Sequence, residues 1–542
     1  MNRKFRLVVI CLVISLGEVF AQSGINKTIQ VERDYEGKVM DSDKSKIKTT
    51  ISDTLLNFNI HFDYPTFYRP YRDLYEFSPV TTAPIRPSGK VKYPWLYTKL
   101  SIAYPLMPVA ELYVAPRFGQ KFSAVLSFAH KSLWNDALGD RMVNDAGVHL
   151  AYRWKKGEAL IDAQFLNNFY TYMNDSVKVA DHTFDIFAIN ALVRSKDPAP
   201  NSFYYDISFR YSYLNDNQSR STIDPLRENE ILADVSLGAT LKRVHKVFIR
   251  LANDISVVEN GAVGNRFLAG VLDICPTYRW EKGRWRLNLG VSVSSLYSQG
   301  YKNLDKKFVF APEVNATFEA VTSKLWLYAA VDGENSLISF NRMFRYNPWM
   351  GSESDLGRMV SPFGVEAGIR GVLGERFAYN LMGGYRYYTH YTAYISNNDA
   401  QSAWIGENNS AFVAAEVRLN TQPFTMTADL RYQYFSNSDY ALMTPSFQAG
   451  IVAEYNIRKR FFMEASCYFR NRTIAGFVND DETVSYSTVK GFVDLGVKFS
   501  YSINPGFTIF LEGKNLINSE IQYFSNTYEP GVNIAAGLYF KL

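Results

Sequence analysis

The sequence predicts an all-β fold: a transmembrane antiparallel up-and-down β-barrel of about 22 strands, preceded by an irregular N-terminal segment. Three observations predict it. Runs of about ten residues alternate apolar and polar side chains and repeat from Trp95 to the end of the chain. The links between these runs are short and long in turn. Beyond the first 21 residues, no stretch of roughly 18 apolar residues is present that would cross a bilayer as a helix.

The opening residues read as a secretory leader. Arg3, Lys4 and Arg6 form a basic start, residues 7–16 an apolar core, and Val19, Phe20 and Ala21 a small-residue cleavage site. Cleavage after Ala21 removes three basic residues and Glu18, leaving 55 basic against 52 acidic residues, a net charge of +3. That balance gives no support to nucleic-acid binding. Cys11 lies inside the leader, so Cys275 and Cys467 remain, on the polar and apolar faces of their runs. A disulfide framework is not expected. Tyr and Phe number 37 and 38, an excess that fits two interfacial girdles on a many-stranded barrel.

Residues 22–92 differ from the rest. They are charged at first and then rich in Pro and aromatics, and we read them as a periplasmic or lumen-filling segment without a core of its own. The barrel is assigned to residues 93–542. In the run 203–213, Phe203, Tyr205, Ile207, Phe209, Tyr211 and Tyr213 share one face, and Asp206, Ser208, Arg210 and Ser212 the other. The run 424–434 repeats this with Asp429 and Arg431 on its polar face. Such lengths suit tilted membrane strands, and charged inner faces suit a watery lumen.

Strands are predicted near 95–104, 109–116, 121–131, 142–154, 158–172, 181–196, 202–215, 229–243, 246–259, 263–281 and 284–299. They continue near 306–321, 324–339, 359–374, 376–391, 403–419, 424–437, 442–457, 460–475, 484–502, 506–519 and 531–542. After every second strand the link is tight, as in RFGQ, KKGE, EKG, TQP and NPG. The others are mostly long and polar, as in NDNQSRSTIDPLREN. Short turns on one side and long loops on the other predict an outer-membrane barrel with both termini periplasmic.

The last strand, GVNIAAGLYFKL, puts Ile534, Ala536, Leu538, Phe540 and Leu542 on one apolar face. With Gly537, Phe540 and Leu542 it resembles the insertion signal of bacterial outer-membrane barrels. The stretch YTKLSIAYPLMPVAELYVAPRFGQKFSAVLSFAHKS resembles the opening of TonB-dependent-receptor-like barrels of Bacteroidetes-type bacteria. The ending LEGKNLINSEIQYFSNTYEPGVNIAAGLYFKL is similar to the last hairpin of TonB-dependent receptors generally. The resemblance implies a receptor barrel in the outer membrane. Such receptors carry a plug of well over a hundred residues, whereas here about 70 irregular residues stand in that place.

Two stretches are singled out. Thr28, Ile29, Gln30 and Val31 resemble the extended box by which such receptors reach the energy-transducing periplasmic protein; the alternative is ordinary tail. The link between the thirteenth and fourteenth strands holds Phe340, Met343, Phe344, Tyr346, Trp349 and Met350. An apolar cluster of that size marks a partner or ligand contact, or packs into the lumen as a constriction, or else is a mobile loop. The inward charges Asp206, Arg210, Asp429, Arg431, Glu464, Glu512 and Lys514 either pair across strands or line a pore. The six His show no metal-ligand spacing, and no nucleophile elbow or phosphate loop is present, so neither cofactor nor enzyme is expected. Three functions stand: a binding or scaffold subunit of an outer-membrane protein complex, a TonB-linked importer, and a passive diffusion pore. The expected partners are outer-membrane lipid and a protein of the outer membrane or periplasm, with the ligand open.

Overall fold

The computed structural model describes residues 94–542 except 117, 120, 175–176, 197–202, 219–225, 242–243, 261–264, 301–307, 352–353, 398–399, 422, 459, 480–482 and 526. The leader, the segment 22–92 and the box-like strand 28–31 lie outside the described residues. Among the described residues twenty-four strands form one sheet, and each wall strand pairs antiparallel with its neighbours. Alternation decides which side faces out. In β7 (Phe203–Gln218), Phe203, Ile207 and Phe209 are exposed outward, and Ser212, Leu214 and Asp216 are buried inward. β9 (His245–Asn260) follows the same rule: Val247, Ile249 and Leu251 face out, while Asp254 and Ser256 face in.

The sheet closes. β24 (Asn533–Lys541) pairs with β1 (Leu96–Tyr104), from Tyr97 opposite Lys541 to Tyr104 opposite Ile534. Two further hydrogen bonds extend the seam, Trp95 N–H to Leu542 O at 2.6 Å and Leu542 N–H to Leu96 O at 3.0 Å. At the seam Gly537 faces the lumen opposite Phe510 of β23 (Phe507–Lys514). A Cβ there would meet the Phe510 ring and the Leu100 carbonyl oxygen, each at 2.5 Å. The vacant space lets Phe510 stack on Tyr539, with ring centroids 4.7 Å apart. Phe540 and Leu542 lie on the opposite, outward face, as the alternation predicts.

The wall has 22 strands, β1 to β19 and β22 to β24, because one hairpin leaves it. β19 (Phe461–Arg470) pairs directly with β22 (Phe492–Asn504), and β20 (Thr473–Val478) pairs with β21 (Val484–Val489) away from the wall. The predicted strands 460–475 and 484–502 are each broken in two. The reason is packing above the wall: Ala475 and Val489 are buried with Met443 in a small apolar cluster. β20 also meets β15 (Phe377–Asn397) in a parallel bridge, Ser396 opposite Phe477.

Most of the inward charges singled out are paired or hydrogen-bonded along the wall. Arg210 donates to Asn190 at 2.5 Å, Tyr204 to Asp206 at 3.2 Å, and Arg431 to Gln433 at 3.0 Å. Lys514 lies 3.5 Å from Glu512, and Glu464 stands opposite Lys498. Asp429 stands opposite Glu416. Cys275 and Cys467 are free thiols.

The seam yields a prediction. Gly537→Ala forces the Phe510 ring to move and should cost about 1–3 kcal/mol. The temperature at which the folded barrel loses its compact mobility on a detergent gel should fall. An unchanged transition would show that the seam has slack.

Candidate functional site

The loop between β13 (Leu325–Ile338) and β14 (Gly357–Leu373) turns into the lumen. It carries the short helix α1 (Phe340–Tyr346), started by the Ser339 hydroxyl, which accepts from the Arg342 N–H. Phe340, Met343 and Phe344 repeat at helical spacing and bury one face of α1. That face packs on Phe184 and Ile186 of β6 (Val177–Ser195), Leu214 of β7, Leu226 of β8 (Leu226–Leu241) and Val258 of β9. Phe184 and Phe344 meet edge to face with centroids 5.1 Å apart. Trp349 and Met350 are buried with them. Tyr346 points the other way, stacked on Tyr394 of β15 at 5.5 Å and edge-on to Phe524 at 5.6 Å. Burial pushes its phenol up to about 12. Five of the six singled-out side chains are buried.

Polar groups fix where the loop sits. Glu228 of β8 accepts from the backbone N–H of Phe340 at 3.2 Å and of Asn341 at 2.6 Å, and from the Ser256 hydroxyl. Glu230 accepts from the hydroxyls of Ser339 at 2.7 Å and Ser212 at 2.9 Å. The Arg342 guanidinium lies between Glu230 at 3.0 Å and Asp254 of β9 at 2.5 Å, and donates to the Leu337 carbonyl at 2.8 Å. Two wall strands therefore hold the first turn of α1 by three carboxylates and one arginine. A carboxylate beside free N–H groups at a helix start is stabilised there.

Beneath Trp349 runs a buried polar chain. The Tyr170 hydroxyl bonds His182 Nδ1, and His182 Nε2 bonds Asp216. Tyr170 belongs to β5 (Gly157–Asn174) and meets Trp349 edge to face at 4.3 Å. Sequence reasoning missed Asp216 and Glu228 because both fell in a predicted loop, whereas β7 and β8 run further. Their faces are polar on both sides there, so alternation gave no signal.

At the long-loop end a pocket of about 370 Å³ opens above this assembly. Trp349 and Tyr172 line it from below, Leu138 and Arg141 from one side, and Glu520 and Glu529 from the 515–532 loop. Arg141 belongs to β4 (Arg141–Trp154); it lies 5.0 Å over the Trp349 ring, donates to Glu529 at 2.8 Å and to the Tyr528 carbonyl at 2.5 Å. The turn before it depends on Gly139, whose φ is +78° and whose Cβ would meet the Thr171 carbonyl oxygen at 2.5 Å. The 515–532 loop is tied by Asn515, whose side-chain amide donates to the carbonyls of Ser519 at 2.8 Å and Pro530 at 3.2 Å.

No family model and no curated protein matches the sequence. Solved structures match the fold. What they share with this chain is the fold, a closed antiparallel barrel. The chain is similar to the FrpB iron transporter from Neisseria meningitidis, with 10% identity, a TM-score of 0.65, and coverage of 83% of this chain and 82% of that one. It is also similar to P. aeruginosa FpvA bound to heterologous pyoverdines, with 10% identity, a TM-score of 0.64, and coverage of 82% and 71%. The closed form of the ferric-catecholate import receptor Fiu from E. coli K12 gives 10% identity, a TM-score of 0.61, and coverage of 83% and 82%.

The anchorage of α1 yields a prediction. Arg342→Ala leaves Glu230 and Asp254 without their cation, a loss of about 3–5 kcal/mol for a buried pair. Limited proteolysis should then cut within 339–356 while the wall survives. Arg345→Ala, an exposed arginine bonded to Gln164 and Asn341, should stay within about 0.5 kcal/mol of wild type. Equal protection of both variants would show that apolar packing alone holds the loop.

Proposed function

We propose that the chain is an outer-membrane import receptor of the TonB-dependent type in which loop 339–356 serves as an internal stopper. The observation that carries this reading is the clamp of Arg342 between Glu230 and Asp254, which holds a loop inside a lumen. A barrel of 22 strands is too wide for wall side chains to fill, so a transporter of this size needs an internal obstruction. The fold likeness to an iron transporter and to a ferric-catecholate import receptor supports the same class. In this reading residues 1–21 direct export and the exposed outward side chains meet lipid. The short-turn end and both termini face the periplasm. Residues 28–31 are the strand offered to the energy-transducing protein, and Gly537, Phe540 and Leu542 form the assembly signal.

Conductance in planar bilayers tests the stopper. Wild type should conduct little, and Arg342→Ala or deletion of 340–350 should raise single-channel conductance several-fold. A wild type already as open as the variants would make the chain a passive pore.

A second reading, a scaffold subunit of an outer-membrane complex, has one observation in its favour. Among the described residues β21 pairs with β20 and with no strand on its other side, and Ser485, Tyr486, Ser487 and Thr488 there are exposed. A free edge of that kind accepts an added strand. Affinity capture from native membranes should then bring down a stoichiometric partner that is lost on deletion of 473–489. Recovery of the barrel alone would overturn the scaffold.

A further inference from the structure

The pocket at the long-loop end holds chemistry that the stopper does not use. We propose that it binds a small organic cation, an amine or guanidinium joined to an apolar or aromatic body. As a cargo site this rests on the transporter reading, whereas the binding itself does not.

The volume, about 370 Å³, lies within the roughly 300–1,000 Å³ of small-ligand pockets. Its charges are arranged for one sign. Glu520 and Glu529 are 55% and 40% exposed, whereas Arg141, the one cation of the lining among the described residues, is 18% exposed. Arg141 is already engaged by Glu529, by the Tyr528 carbonyl and by the face of Trp349. A solute entering the pocket therefore meets acceptors and a net negative lining. An anion would face both carboxylates.

The chain's own cations show what these carboxylates take. Arg141 sits on Glu529, and Lys490 reaches Glu520 at 3.3 Å from outside. Lys490 is itself 81% exposed, and water screens an ion pair of that kind until little of its attraction is left. A ligand ammonium that gains a second contact in the pocket displaces it. That second contact is available: Tyr172, Trp349, Tyr528 and Met173 supply ring and apolar surface. Aromatic faces beside carboxylates attract cations by their quadrupole as well as by charge. A neutral solute would gain the apolar contact without the ionic one.

The test uses the full-length protein in detergent and three probes of one shape: 2-phenylethylamine, 2-phenylethanol and phenylacetate. Calorimetry gives affinity, and tryptophan emission reports on Trp349, one of eight Trp. The amine should bind saturably, with the alcohol and the acid at least about tenfold weaker. Glu520→Gln should weaken the amine several-fold and leave the alcohol unchanged, and Trp349→Phe should abolish the emission change. Glu520 is the chosen variant because it is exposed and outside the Arg141 clamp, so its loss does not unfold the loop. The proposal is overturned if the acid binds as well as the amine, if amine and alcohol are equal, if none binds, or if Glu520→Gln changes nothing. A conducting wild type that still binds the amine would sink the stopper alone, and a closed wild type that binds no amine would sink this proposal alone.

Discussion

Closure of the sheet is the constraint on which everything else in this chain depends. Hydrocarbon offers no partner to a backbone N–H or C=O, so a spanning sheet has no tolerable edge. β1 and β24 meet that demand with a ladder that runs to the last residue, where Leu542 pairs with both Trp95 and Leu96. Closing 22 strands also fixes the width of the interior. The wall side chains cannot fill it, and the inner face is left polar and wet. Two features follow from that width. The inward charges pair along the wall, as Glu512 and Lys514 do, and a loop turns in to occupy part of the space.

How that loop is held is a question of direction as well as of energy. Burial of Phe340, Met343, Phe344 and Met350 favours any compact arrangement and specifies none. The carboxylates do specify one. Glu228 and Glu230 project from the same face of β8, and Asp254 from the facing strand β9. Their acceptors match the donors of a single helix start: two backbone N–H groups, the Ser339 hydroxyl and the Arg342 fork. Three carboxyl groups around one guanidinium could not all stay charged in a dry core without heavy cost. Here hydroxyls of Ser212 and Ser256 supply further donors.

Much of the wall was legible in the sequence, and the reasons are physical. A strand with one face toward lipid and one toward water must alternate, and tight turns such as KKGE and EKG punctuate it cleanly. The closing role of the final strand was legible because its apolar face runs unbroken from Ile534 to Leu542. What alternation cannot report is the identity of a neighbour. Residues 473–478 and 484–489 have the composition of wall strands but pair above the wall. Nor can it tell an apolar loop that faces a partner from one that packs inside, since both need the same residues. The clamp was illegible for a different reason. Glu228 fell in a predicted loop, Glu230 and Asp254 on polar faces whose partners alternation does not name, and Arg342, which pairs with the last two, is 88 residues from Asp254. The motif that carried the family resemblance has a visible structural role. Asn515 and Pro530 brace one loop, and Glu529 within it reaches Arg141 on β4.

The same residues join the pocket to the stopper. Trp349 is at once the floor of the pocket and a buried member of the apolar cluster around α1. One face carries the Arg141 guanidinium, and an edge of Tyr170 abuts it, leading through His182 to Asp216 on β7. Coupling between two sites requires an element whose arrangement both of them bias, and a shared side chain is the shortest such element. A solute that takes Glu529 from Arg141 also frees the cation that lies on Trp349. A loop that leaves the lumen takes the pocket floor with it. Neither event leaves the other site as it was, because they are built on one tryptophan.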